Sequence, residues 1–146
     1  MGNRIALSQQ QKHETFKTAF DTYKKYLDSE NFIGAYVVAF SILEDRITAA
    51  YMLLQDHLKK NRPTKLWKLK FSQKINPLHE NGFISQTAIN NFRMCANNRN
   101  LKFHAAMWNL NEFSAEDCQK VIKLAREADK LSRKLKKLTT KNEPKS

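Results

Sequence analysis

The chain has 146 residues, enough for one domain with one core, and with only three glycines and three prolines it disfavours a turn-rich β architecture. Its formal net charge of +12 calls for an anionic partner, with nucleic acid the first candidate and an acidic membrane surface the second. Two cysteines, Cys95 and Cys118, exclude the disulfide framework of a small secreted domain.

No apolar run approaches the ~18–20 residues of a membrane span. The opening Met1-Gly2-Asn3-Arg4 lacks the apolar core of a signal peptide, so the expectation is a cytoplasmic chain with no membrane association. In chain order, the first predicted helix covers residues 8 to 28, with Ser8 as its N-cap and Phe16, Ala19, Phe20, Tyr23, Tyr26 and Leu27 at helical spacing. A second runs from about Asn31 to Lys60 with a face of Ile33, Tyr36, Val37, Phe40, Leu43, Ile47, Ala50, Tyr51, Leu54 and Leu58, the pattern of a central helix with several neighbours. Asn61-Arg62-Pro63 is expected to end it.

Residues 64 to 84 are the least regular, a short helix with loops. Lys65 to Phe71 reads as either a short helix or a strand-like basic stretch, and Asn76-Pro77 and Asn81-Gly82 are turn signals. A third main helix starts near Ser85 and turns Ala88, Ile89, Phe92, Cys95 and Ala96 to one side. Ser114 to Asp117 forms a capping box with aspartate in the usual glutamate place. It opens a fourth helix carrying Val121, Leu124, Ala125, Ala128, Leu131, Leu135 and Leu138. The expectation is therefore an all-α, antiparallel up-and-down bundle of four main helices plus a short helix or loop region at 64–84, forming a single domain over residues 1–138 with a disordered basic tail at 139–146.

Two charged residues break the apolar stripes. Arg99 follows Phe92, Cys95 and Ala96 by seven, four and three residues, and Glu44 lies four after Phe40 and three before Ile47. A carboxylate in a buried stripe needs a cation, and Arg99 or Arg93 is the expected partner of Glu44. His104 lies five residues after Arg99, which on a continuous helix places it about 140° away. The two converge only if the helix ends near Asn100 or if two copies of the chain meet.

Arg99, Asn100 and His104 resemble the R-x4-6-H signature of HEPN domains, in which a polar residue follows the arginine. The wider pattern is also similar to that family, with the motif late in helix three, a long second helix before it carrying Glu44, and a basic helix after it. The resemblance implies a metal-independent endoribonuclease, a homodimer with two motifs facing one cleft, and often a role as a toxin or in phage defence with an antitoxin or other regulatory partner. It needs no cofactor. His104 then does general acid–base work, Arg99 binds phosphate, Asn100 orients the phosphate or His104, and Glu44 holds Arg99. Toxins of the family that are modified on a tyrosine carry it two residues after the histidine. This chain has Ala106 there, which argues against that mode of regulation.

Seven cations, Lys59, Lys60, Arg62, Lys65, Lys68, Lys70 and Lys74, occupy residues 57 to 74 with no acid among them. Lys65, Lys68, Lys70 and Lys102, with Trp67, are candidate RNA contacts. Trp67 and Phe71 either stack on unpaired bases or pack beneath the loop. His13, His57, His79 and the cysteines show no metal-ligand spacing, and no glycine-rich phosphate loop is present. The alternatives from other classes are a non-catalytic HEPN-like module that binds RNA, a nucleotide or a partner protein, and a basic helical DNA-binding protein. Met107, Trp108 and Leu110, just after the motif, are expected to pack in the core or line a substrate shoulder or dimer seam.

Overall fold

A computed structural model describes the backbone of residues 9–106 and 113–141 and the side chains of residues 15–105 and 113–140. Ser8, Met107, Trp108, Leu110 and the tail beyond 141 lie outside the described residues. Those that are described form five α-helices and one 3₁₀ turn with no strand: α1 (Gln9–Asp28), α2 (Phe32–His57), the turn Leu66–Lys68, α3 (Phe71–Glu80), α4 (Gln86–Ala106) and α5 (Ala115–Lys141). The chain is all-α, and four long helices plus one short helix in the 64–84 region match the sequence reading.

The ends of α2 are built from local chemistry. Asn31 accepts the Gly34 N–H through its side-chain oxygen at 3.0 Å, satisfying one of the donors that a helix start leaves open. A Cβ on Gly34 would lie 2.9–3.1 Å from atoms of that same asparagine side chain, so a larger residue there has to displace the cap. α1 ends just before, with Glu30 at φ 60° and the Asn31 and Glu30 N–H groups donating back to Tyr26 and Leu27. Lys59 closes α2 in the same way at φ 57°, its N–H and that of Lys60 bonding to Asp56 and Gln55. This left-handed closure satisfies the terminal carbonyls and stops the helix at His57, ahead of the Asn61-Arg62-Pro63 break.

α2 is the hub, packing most extensively along α5 and also against α1 and α3. Its buried arc comprises Ala35, Tyr36, Ala39, Phe40, Ile42, Leu43, Ile47, Ala50, Tyr51 and Leu54. The arc is rotated relative to the expected stripe. Ala35, Ala39 and Ile42 extend it on one side, so that Phe40 and Ile47 lie toward its edge rather than at its middle. Two expectations fall with that rotation: Val37 is 43% exposed and Glu44 is exposed, both lying just past the edge.

α3 contains Pro77, where a turn was expected at Asn76-Pro77. A proline inside a helix costs about 3 kcal/mol, but Ile75 and Leu78 flank it fully buried, and burying two such side chains returns about 3–6 kcal/mol. Asn81-Gly82 is a turn as expected, with Gly82 at φ 80° and the Phe83 N–H donating to Leu78. The main core gathers residues of all five helices around Tyr36, Leu43 and Phe92. A smaller cluster of Ala50, Leu54, Leu78, Leu131 and Leu135 fills another part of the interior. α5 extends through Thr139 and Thr140 to Lys141, three residues into the expected tail, with the Thr139 and Thr140 hydroxyls donating back to the Leu135 and Lys136 carbonyls.

Candidate functional site

α4 carries the motif, and its course changes the expected geometry. The helix does not end near Asn100 but continues to Ala106. Arg99 and His104 therefore leave it about 140° apart, and within one chain they do not converge. Arg99 is half-buried and points inward, whereas Asn100 and His104 are exposed.

Among the described residues, the inward place of Arg99 is set by aromatic rings and not by an acid. Its guanidinium carbon lies 4.8 Å from the centre of the Phe40 ring and 5.5 Å from that of Phe103, distances at which a cation and a ring face attract. Tyr36 stacks against Phe40 at 6.5 Å and meets Phe103 and Phe113 edge-on at 5.8 and 5.0 Å. Glu44 does not hold Arg99: it makes no ion pair with another described residue and stands in solvent. Arg93, the other expected partner of Glu44, donates instead to Asn76 on α3 at 2.9 Å. The sequence pattern missed this arrangement because an arginine at an apolar position can be satisfied by ring faces as well as by a carboxylate.

Burial raises the Tyr36 phenol well above its ordinary range, and nearby Cys95 and Asp117 push the same way while Arg99 opposes them. The group is a neutral phenol at any working pH. Burial also pushes the Cys95 thiol up to about 11. Burial, with Asp117 beside it, pushes Cys118 up to about 11, and its Sγ donates to the Phe32 carbonyl at 3.2 Å. Both cysteines remain thiols, so neither is a nucleophile.

Lys102, a candidate RNA contact, donates to Asp117 at 2.9 Å and lies 5.8 Å from the Phe113 ring centre. Asp117 also accepts from the Ser114 N–H at 3.1 Å and hydroxyl at 2.9 Å, while Ser114 accepts the Asp117 N–H at 3.2 Å, so the expected capping box is present. Partial burial works to raise the Asp117 pKa, but Lys102 and Ser114 together outweigh it and hold the carboxyl below its ordinary 3.8. Because the folded value is depressed, the stabilisation is complete above about pH 4 and is lost as the pH falls through the folded value. Asp117→Ala is expected to cost about 1–2 kcal/mol in urea unfolding at pH 7, and the difference from the parent should shrink on acidification below pH 4.

The basic segment divides into committed and outward-facing cations. Arg62 is paired with Asp56, and Lys74 donates to the Thr48 hydroxyl at 2.9 Å. Lys59, Lys60, Lys65, Lys68 and Lys70 are exposed. The two aromatics also part company: Phe71 packs 6.2 Å from Phe40, whereas Trp67 is 62% exposed. α3 follows directly on this segment and touches α4 through the Asn76–Arg93 bond.

Among the described residues no group of three or more His, Cys, Asp or Glu side chains is placed to hold a metal ion, and no helix is long and apolar enough to cross a membrane. Comparison with protein-family models, with curated proteins and with solved structures gave no match.

Proposed function

We propose that the chain is an RNA-cleaving helical protein of the HEPN type, working without a metal, with Arg99 on the phosphate and His104 as the proton-transfer group. The observation that carries this reading is the placement of the two motif residues on α4: an exposed histidine and an arginine held against ring faces, with no carboxylate partner among the described residues. Their angular separation means that a complete site takes His104 from a second copy of the chain, so the active species is a homodimer. An antiparallel up-and-down order of the four long helices suits such a pairing through α4.

The chemistry is transesterification within the RNA. The 2′-hydroxyl gives up its proton to a histidine and attacks phosphorus, the bond to the 5′-oxygen breaks, and that oxygen takes a proton from a histidine. Arg99 offers parallel N–H donors to the phosphoryl oxygens as charge builds on them. Asn100, next on the helix and exposed, orients phosphate or His104, and Glu44, exposed and away from Arg99, has at most an indirect part. Lys65, Lys68 and Lys70 with the exposed Trp67 bind unpaired RNA by charge and stacking. A toxin or phage-defence role, restrained by a partner protein, fits such an activity.

Incubation of the full chain with RNA and with DNA in EDTA tests the reading. The expected result is cleavage of RNA alone, leaving 2′,3′-cyclic phosphate ends. Intact RNA at excess protein, or equal cleavage of DNA, overturns it. The exposed Trp67 among lysines favours one second reading, a module that binds RNA without cutting it. In that case binding falls steeply with salt and no cleaved ends appear.

A further inference from the structure

Arginine has a long side chain with several free rotations, and fixing its charged end costs conformational entropy. A carboxylate often supplies the hold, but among the described residues none pairs with Arg99. The hold comes from a ring on another helix. Phe40 of α2 has its ring centre 4.8 Å from the guanidinium carbon and is 4% exposed. Two more rings fix its position in turn. Tyr36, one turn earlier on α2, stacks on it with planes 14° apart, and Phe71, at the start of α3, packs 6.2 Å from it. Phe103 is nearer in sequence but a lesser hold. It lies 5.5 Å from the guanidinium carbon, is half-buried and belongs to α4 itself, so it moves with the helix that carries Arg99.

We propose that Phe40 is a positioning residue: its ring sets where on the α2 frame the Arg99 guanidinium meets a phosphate group. The proposal rests on the ribonuclease reading, in which Arg99 steadies the charge that builds on the phosphoryl oxygens. Such an interaction works best when the donor stands in place before the charge appears, and an ångström of misplacement can cost about 10²-fold in rate. The need is sharper in a site shared between two copies, since slack in Arg99 of one copy is not corrected by His104 of the other. A ring attracts the cation without cancelling its charge, as a carboxylate would. The neighbouring Tyr36 leaves that charge intact as well, because its phenol stays neutral. In this role Phe40 acts only through Arg99 and takes no part in making or breaking bonds.

Two changes at this position separate placement from packing. Phe40→Leu removes the ring but keeps an apolar side chain. Replacing the ring by its pentafluoro counterpart keeps nearly the same shape and withdraws the electron density that attracts a cation. Both proteins are compared with the parent in steady-state RNA cleavage, in thermal melts, and in the NMR signal of the Arg99 Nε–H, assigned by its absence from Arg99→Lys, during titration with inorganic phosphate. The expected result is a kcat about 10–100-fold lower in both with KM within about twofold of the parent, while the fluorinated protein melts with the parent. Parent-like kcat in the fluorinated protein overturns the proposal, even where Phe40→Leu is slow through lost packing. If the parent itself leaves RNA intact, the ribonuclease reading falls and the Arg99 signal decides the placement alone. A smaller shift of that signal in the fluorinated protein at the same phosphate concentration upholds the positioning role, and an equal shift overturns it.

Discussion

His104→Ala is expected to lower RNA cleavage by about 10²–10⁴-fold while leaving the unfolding curve where it is. The side chain is exposed on α4, and surface substitutions of this kind change stability by no more than about 0.5 kcal/mol. Loss of activity in this variant therefore reports chemistry and not folding, which Arg99→Ala does less cleanly because its side chain covers the Phe40 ring. Single-turnover cleavage of a labelled RNA, beside a circular-dichroism melt of the same preparation, reads both quantities. The two-copy site adds a second readout. Mixing His104→Ala with Arg99→Ala protein should restore part of the activity, since one of the two hybrid sites then contains both intact residues. Parent-like cleavage by His104→Ala alone ends the assignment.

Leu43→Ala is expected to be among the most damaging single changes to the fold. Leu43 is fully buried at the middle of the α2 arc, and removing a leucine side chain from such a place costs about 2–5 kcal/mol. Set against a total stability of about 5–15 kcal/mol, that loss leaves a marginal protein. Urea unfolding at constant slope measures it. Val37→Ala is the control on the same helix: at 43% exposed its loss is expected near 0.5 kcal/mol. If the two variants unfold alike, the rotated orientation of α2 is wrong.

Helical periodicity carried most of the fold. The starts of α2, α4 and α5 were marked by Asn31, Ser85 and Ser114, and each cap is made, by Asn31 on Gly34, Ser85 on Ala88 and Ser114 on Asp117. What misled was rotation and breakage. A stripe read at three- and four-residue spacing does not say where its midline falls when neighbours pack on both sides of a helix, and Val37 and Glu44 lay on the wrong side of that line. Pro77 was read as a turn because its local cost is visible in sequence, while the burial of Ile75 and Leu78 that outweighs it is tertiary. At the candidate site, the oddity of Arg99 on an apolar face was legible, but its partner was not, since Phe40 and Phe103 looked like ordinary core.

Arginines laid on rings recur: Arg46 over Phe16 at 4.7 Å and Arg126 over Phe20 at 5.8 Å, as well as Arg99 over Phe40. The difference lies in what an incoming anion must displace. Arg46 already shares its charge with Asp45 and Asp129, so a phosphate arriving there has to evict a carboxylate. Arg99 makes no ion pair with a described residue, and a ring occupies the flat face of a guanidinium while leaving its N–H edge open. A phosphate can take that edge with the ring still in place, so Arg99 meets an anion by addition where Arg46 meets it by exchange.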